Sequence, residues 1–310
     1  MAIPRDQESR DSSRRSGRFG DASQEDRNEW DELTAQRWYN VPMTETARDD
    51  RATVVAIAAI ACVVQDVLHE GLGHGLTAWL SGAHSLTMST VALQSDLDTR
   101  LISANGTLAN LLFAAIFWLA LRRGNYRPAT RYFLVLALMG NLFTGTGYFF
   151  FSGVMNFGDW AAVIRGLEPH WAWQVGLVVV GVATYWASMV VVGAELEPFR
   201  EMEPFREKGE RSPRIIRLCY TPYFTDGILA GIAGLMNPIG FFYVIASALP
   251  STLGANAGLL SLPFVMQKWR RVHDDQPVGP IPRSLAWIAA GSVAGALFIF
   301  VLGRGISWSR

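Results

Sequence analysis

Long apolar runs are the feature of this 310-residue sequence that most constrains its fold. A helix of about 20 predominantly apolar residues is long enough to cross the hydrocarbon core of a bilayer. Half of the residues are hydrophobic and only 17% are charged, which is too apolar for an ordinary soluble domain of this size. The sequence therefore predicts an all-α polytopic membrane protein with about six transmembrane helices, near 52–80, 101–121, 131–152, 171–193, 222–249 and 284–303.

A seventh span depends on a short apolar piece at 255–267. It follows Asn237-Pro238 and Pro250, so it can be a re-entrant helix or a short complete span. Broken helices at membrane depth are tolerated only where protein or a cavity covers the freed backbone groups. Both alternatives stay open.

Basic residues in the loops predict the orientation. The loops 122–131 and 194–220 are rich in arginine, whereas 82–100 and 153–170 contain one arginine each. The positive-inside rule then places both basic loops and the N-terminus in the cytoplasm. Residues 1–50 are polar and charged and are expected to form a disordered cytoplasmic tail. A formal net charge of zero gives no indication of a nucleic-acid partner.

Two histidines and a glutamate lie within six residues near the end of the first apolar run. Each ionisable side chain costs about 2.5–3.5 kcal/mol at the centre of a membrane helix, so His69, Glu70 and His74 need a reason to be there. Neutral imidazoles bind zinc readily, and an adjacent carboxylate can act as a general base. The sequence therefore predicts a metal site, and the alternative is a buried polar network that only packs helices.

The spacing of the two histidines predicts an irregular helix. In the H-E-x-x-H motif the histidines are four residues apart and about 40° apart around the helix, whereas residues five apart are separated by about 140°. His69 and His74 could not share a metal on a regular α-helix. A π-bulge restores a common face, and such bulges are frequent at functional sites. Gly71 and Gly73 lie between the histidines, where distortion of the backbone costs least.

Three segments of this chain resemble the site-2 protease family of intramembrane zinc metalloproteases. Residues 68–78 are similar to the family's H-E-x-G-H-x-x-x-A helix with one residue inserted. Residues 104–110 are similar to its G-P-x-x-N element, with Thr107 in place of proline. Residues 147–159 stand where the family has N-x-x-P…L-D-G, but the prolines are absent and glycine precedes the aspartate. The resemblance covers roughly residues 52–165.

The resemblance implies a three-helix zinc core in residues 51–165, with additional helices in 166–310. It implies that His69, His74 and Asp159 bind Zn²⁺, that Glu70 is the general base, and that Asn110 contacts the substrate backbone or an oxyanion. The predicted topology supports Asp159, because it lies at the same membrane level as the histidines. The implied function is an intramembrane peptidase of a divergent bacterial branch, located in the plasma membrane and acting on a transmembrane protein substrate.

Other functions stay open. The same zinc site could hydrolyse a non-peptide substrate, or a non-catalytic scaffold or transporter could retain the metal. Asp159 could instead be a helix cap, and Asn110 could only bridge helices. We also expect Asp66 to orient an imidazole and the polar segment 85–91 to pair with an extended substrate. A glutamate beside the first ligand favours an enzyme, because water activation needs it and transport does not.

Overall fold

The structure, a computed structural model, describes residues 48–200, 212–238, 250–268 and 277–309. The predicted cytoplasmic tail lies outside these ranges except for its last three residues. The described residues belong to one compact unit, Arg48–Arg310, so the predicted segments 51–165 and 166–310 are parts of one body. Five helices in the described ranges are long and apolar enough to cross a membrane: Arg51–Leu80, Arg100–Arg123, Pro128–Met155, His170–Phe199 and Leu285–Leu302. The prediction of a helical membrane protein is confirmed.

The elements follow one another in a simple order. The first span consists of α1 (Arg51–Asp66), a π-helical segment (Val67–Gly75) and α2 (Leu76–Leu80). The other helices and strands are β1 (Ser85–Met88), β2 (Leu93–Ser95), α3 (Arg100–Arg123), α4 (Pro128–Met155), α5 (Asp159–Ile164), α6 (His170–Leu196), α7 (Pro213–Leu235), α8 (Gly258–Lys268), α9 (Leu285–Leu297) and β3 (Ile306–Ser309). Short irregular turns lie at Glu197–Phe199, Pro250–Gly254, Ala255–Ala257 and Phe298–Leu302.

The fifth predicted span, 222–249, differs from the helix that the structure contains. Helix α7 starts at Pro213, where the Ser212 side chain caps it by accepting a hydrogen bond from a backbone N–H. It ends at Leu235, and 239–249 lie outside the described residues. Helix α7 carries Asp226 and two arginines, and it is not one of the five helices apolar enough to span by composition.

The apolar piece at 255–267 forms a short, broken helix. Helix α8 has 11 residues, about 16 Å of helix, and cannot cross a 30 Å hydrocarbon core alone. The chain nevertheless returns to the end of the bundle at which it began, because the Asp50 N–H donates to the Ile281 carbonyl oxygen at 2.8 Å. Helix α7 starts at this same end and runs away from it, so a chain that is back at Ile281 has crossed the bundle in the opposite direction. This geometry favours the short complete span over the re-entrant helix.

Arg214 ties three helix starts together at that end of the bundle. Its guanidinium donates to both carboxylate oxygens of Asp49 at 2.9 Å and to the carbonyl oxygens of Val278 and Gly279 at 2.7 Å. Asp49 precedes α1, Arg214 lies in the first turn of α7, and Gly279 precedes α9. These helices therefore run in the same direction.

A small sheet lies at the opposite end, and the helix-only prediction did not include it. Its strand order is β2-β1-β3, with both pairings antiparallel, and Leu86 lies opposite Ser95 on one side and Trp308 on the other. Strand β1 is therefore the central strand. The expectation that residues 85–91 pair with an extended substrate is wrong for β1, because its two edges are already hydrogen-bonded.

Helix α4 is the central helix of the bundle and positions the candidate site. It packs against α1, α3 and α6. Its residues 135–141 are buried on every side, as expected of a helix surrounded by others. Polar side chains farther along α4 therefore face other helices rather than lipid.

Candidate metal centre

The histidine pair lies on a π-helical turn, as the spacing predicts. The π-helical segment Val67–Gly75 contains both histidines, and the Leu76 N–H that follows it donates to the Gly71 carbonyl oxygen five residues back. This wider turn aligns residues that are five apart. The Nε2 atoms of His69 and His74 are 3.2 Å apart, and both residues are buried. The predicted bulge is confirmed.

Close packing against α3 fixes the position of the π-helical turn. A Cβ atom on Gly73 would lie 2.5 Å from the Gly106 Cα atom, so the two backbones are in direct contact. A Cβ atom on Gly106 would lie 2.3 Å from His74 Nε2 and 2.8 Å from His69 Cε1. Glycine at both positions is what leaves room for the two imidazoles.

Asp159 brings a carboxylate to the same point from a different helix. Its Oδ2 atom lies 3.3 Å from His69 Nε2 and 3.4 Å from His74 Nε2. Asn156, at φ 50°, and Gly158, at φ +84°, turn the chain sharply between α4 and α5, which directs the first residue of α5 toward the histidines. The structure thus brings together the three residues that the resemblance proposes as ligands.

Burial and charge act in opposite directions on the Asp159 carboxyl group. Burial alone would raise its pKa, but positive charge beside the carboxylate, which a proton on His74 would carry, outweighs burial and lowers the pKa below its ordinary range. Its Oδ2 atom is buried and accepts no hydrogen bond from the described residues. The carboxylate therefore presents an oxygen without a hydrogen bond to the two Nε2 atoms.

A chain of hydrogen bonds sets the tautomer of His69. The Asn141 amide donates to the Ala137 carbonyl oxygen at 2.8 Å, so its own oxygen must face Asn110. That oxygen accepts from the Asn110 amide nitrogen at 2.8 Å, which turns the Asn110 oxygen toward His69 Nδ1 at 2.5 Å. Because a carbonyl can only accept, each assignment follows from the one before it. His69 therefore donates through Nδ1, and the neutral imidazole presents the lone pair of Nε2.

The second histidine is oriented in the same way. His74 Nδ1 lies 2.7 Å from the Ile102 carbonyl oxygen and donates to it, so the neutral imidazole has its Nε2 lone pair facing Asp159. Metal-binding histidines almost always donate their second ring nitrogen to a carbonyl or carboxylate. We expected Asp66 to orient an imidazole, but Asn110 and the Ile102 carbonyl occupy these positions.

Asn110 lies at the site but contacts other groups than the substrate backbone or oxyanion that the resemblance implies. It is fully buried, its oxygen accepts from His69, and its nitrogen donates to Asn141. Both polar ends of the amide are occupied. The structure therefore favours an orienting role over the contact with substrate that the resemblance implies.

Glu70 lies beside the three converging atoms. Its Oε1 atom is 4.0 Å from His69 Nε2, and its Oε2 atom is buried without a hydrogen-bond partner among the described residues. Candidate ligand atoms of His69, Glu70 and His74 lie within 4.8 Å of one another, and this buried group can hold a metal ion. A free carboxylate oxygen at that position can accept a proton.

Sequence reasoning missed Asn141 and Tyr148, two residues of α4 that contribute to the site. The Tyr148 ring stacks on the His69 ring with centroids 5.1 Å apart and an interplanar angle of 19°. Its hydroxyl has no hydrogen-bond partner within the described residues. Asn141 and Tyr148 are seven residues apart and so share one face of α4. This seven-residue spacing is the sequence feature that could have indicated their role at the site.

The chain matches no protein-family model, no curated protein and no solved structure. The resemblance to the site-2 proteases is therefore one of sequence motifs only.

Proposed function

We propose that this protein is a zinc-dependent membrane hydrolase in which His69, His74 and Asp159 bind the metal. The observation that supports this proposal most strongly is the triangle formed by two Nε2 atoms and one carboxylate oxygen, with sides of 3.2, 3.3 and 3.4 Å. Tetrahedral zinc with bonds of about 2.0–2.1 Å separates its ligand atoms by about 3.3–3.4 Å. A zinc ion fits this triangle without movement of the ligands.

A shared proton explains the triangle less well. The tautomers leave three acceptor atoms facing one another, and a proton on His74 would bridge only one of the three contacts. A charge-assisted hydrogen bond would also shorten that contact to about 2.7–2.9 Å. All three sides exceed this range and differ by only 0.2 Å. One cation at the centre satisfies all three contacts.

The site has the composition of a catalytic zinc centre. Three protein ligands leave one tetrahedral position open, as in zinc hydrolases and unlike closed structural sites. When bound, zinc would supply Lewis acidity and lower the pKa of water at the site to about 7. Glu70 would accept the proton from the attacking water and pass it to the leaving group. The Asn110–Asn141 chain would hold His69 in its metal-binding tautomer.

Tyr148 is our candidate donor to the substrate carbonyl oxygen. The Asn110 amide is occupied, whereas the Tyr148 hydroxyl is unpaired within the described residues and its ring lies against a metal ligand. A hydrogen bond from this hydroxyl would stabilise negative charge that develops on the oxygen during attack.

A peptide is the substrate class that the resemblance and the membrane setting favour. The site lies toward the end of the first span, so a membrane-embedded or membrane-proximal segment of a protein substrate can reach it. A helical substrate would have to unwind before its carbonyl meets the metal, because a helix satisfies its own backbone groups. The arginine-rich loops support a cytoplasmic N-terminus and a site toward the outer side.

Metal analysis of the purified full chain tests the centre. We expect about one zinc per chain, loss of zinc in His74→Ala, and retention in the matched control His84→Ala, because His84 is exposed and outside the site. Absence of zinc from the wild-type protein would refute the proposed centre.

Activity tests the role of Glu70. Glu70→Gln keeps the shape of the side chain but removes the base, so we expect it to retain zinc and lose cleavage of unfolded casein in detergent. Cleavage by Glu70→Gln at the wild-type rate would refute the catalytic assignment. Zinc binding with no cleavage of casein by the wild-type chain would instead argue for a non-peptide substrate.

A further inference from the structure

An apolar cavity lies next to the candidate metal centre. It has a volume of about 620 Å³, is lined by α4, α6 and the broken segment from Pro250 to Ser261, and is open on one side. Ligand-binding pockets in proteins typically measure about 300–1,000 Å³. The cavity is therefore large enough for bulky side chains of a bound molecule.

Two residues of the cavity wall are also parts of the metal centre. Tyr148 lines the cavity, and its ring stacks on His69. Gly158 lines the cavity and immediately precedes Asp159. The Tyr148 ring and the turn at Gly158 therefore form a wall that the cavity and the metal centre have in common.

The chemistry of the wall selects apolar groups. The wall is largely apolar and includes the large side chains of Phe151, Trp186 and Met189. The Tyr185 hydroxyl is already engaged, since it donates to the Ala255 carbonyl oxygen at 2.5 Å and accepts from the Gly258 N–H at 2.8 Å. A polar group entering the cavity would lose its hydration with little compensation.

We infer that this cavity binds the bulky apolar side chain next to the carbonyl group that the enzyme attacks. The inference rests on the proposed zinc hydrolase function and assigns its preference: substrates with phenylalanine or leucine at that position rather than glycine. Its basis is the shared wall between cavity and metal centre, together with the volume and the apolar lining.

A substitution at Gly254 can add a large side chain at the cavity wall without a steric clash. Gly254 lines the cavity in a helical conformation, φ −68° and ψ −52°, and a Cβ atom there meets nothing within 4 Å. Gly254→Leu therefore places a side chain in open space. Gly176→Leu is the matched control, because a Cβ atom on Gly176 also meets nothing within 4 Å and Gly176 is not part of the cavity wall.

Binding of zinc-directed ligands tests the inference without measuring turnover. The probes are N-acetylated hydroxamates of glycine, leucine and phenylalanine, titrated by calorimetry into the zinc-loaded full chain in detergent. Burying one large apolar side chain is worth about tenfold or more in affinity. We expect the wild type and Gly176→Leu to prefer the phenylalanine probe over the glycine probe by that factor. Gly254→Leu should lose the preference and keep its affinity for the glycine probe.

The possible results test the cavity assignment and the metal centre separately. Equal affinity of the wild type for all three probes would overturn the cavity assignment and leave the zinc centre standing. An unchanged preference in Gly254→Leu would also overturn it, and partition of probes into micelles cancels between the two variants. If no hydroxamate bound at all, both the zinc centre and the cavity assignment would fall.

Discussion

Replacing Gly106 with alanine is expected to abolish metal binding while leaving the bundle folded. The new Cβ atom would lie 2.3 Å from His74 Nε2, and real contacts of a Cβ atom stay above 3.0 Å, so the imidazole must move by at least about 0.7 Å. Metal sites tolerate deviations of only about 0.2 Å in ligand distance. The change should therefore remove His74 as a ligand. Loss of a residue that only orients a ligand costs about 10–100-fold in affinity, so loss of a ligand should cost more than about 100-fold.

Zinc competition against a chromogenic chelator measures this effect on the purified full chain. Alanine exceeds glycine in helix propensity by about 1 kcal/mol, so α3 itself should not be weakened, and circular dichroism should show unchanged helix content. Gly231→Ala is the matched control, because a Cβ atom there meets nothing within 4 Å. Wild-type zinc affinity in Gly106→Ala would refute the argument that the two imidazoles meet over this glycine.

Three further predictions address the surroundings of the site. Asn110→Ala should lower zinc affinity about 10–100-fold in the chelator assay, because His69 loses the partner that fixes its tautomer; wild-type affinity would contradict that role. Tyr148→Phe should retain zinc and the stacked ring but lower kcat by about 10–1,000-fold, and an unchanged kcat would exclude the hydroxyl as a donor. Hydrogen bonds from the backbone N–H groups of Ser85 and His84 hold the pKa of Asp96 below its usual value, so its carboxylate contributes stability above about pH 4 that is lost as the pH falls through the lowered pKa. The difference in Tm between the wild type and Asp96→Asn should therefore be present at pH 6 and shrink below about pH 4; a constant difference would contradict this.

Local features of the sequence predicted five of the six spans and the π-helical turn. The length of an apolar run is a property of consecutive residues, and the five-residue separation of His69 and His74 left a regular helix unable to align them. The start of α7 was not predicted, because its first turn is polar and is held by the ion pair between Asp49 and Arg214, 165 residues apart in sequence. The central position of β1 likewise depends on pairing with β3 at the other end of the chain.

The orienting residues were harder to predict than the ligands. A metal ligand is suggested by its own chemistry, whereas Asn141 acquires a role only when α4 packs against α3 and its amide meets Asn110. Tyr148 looks like any aromatic residue of a membrane helix until its ring is placed over His69. Such residues are set by helix packing, which the order of residues along the chain does not reveal.

The π-helical turn accommodates one additional residue in the first span without changing the direction in which either end of the span faces. Four residues of a regular α-helix turn the chain by about 400°, and the five residues from His69 to His74 cover nearly the same rotation, because both imidazoles reach one point. Deleting Leu72 would therefore restore H-E-x-x-H on a regular helix and leave Ala78 on the face that it now buries with Leu86 and Ile102. The additional residue widens the helix only where the ligands lie, and the turns before and after it keep their own packing partners.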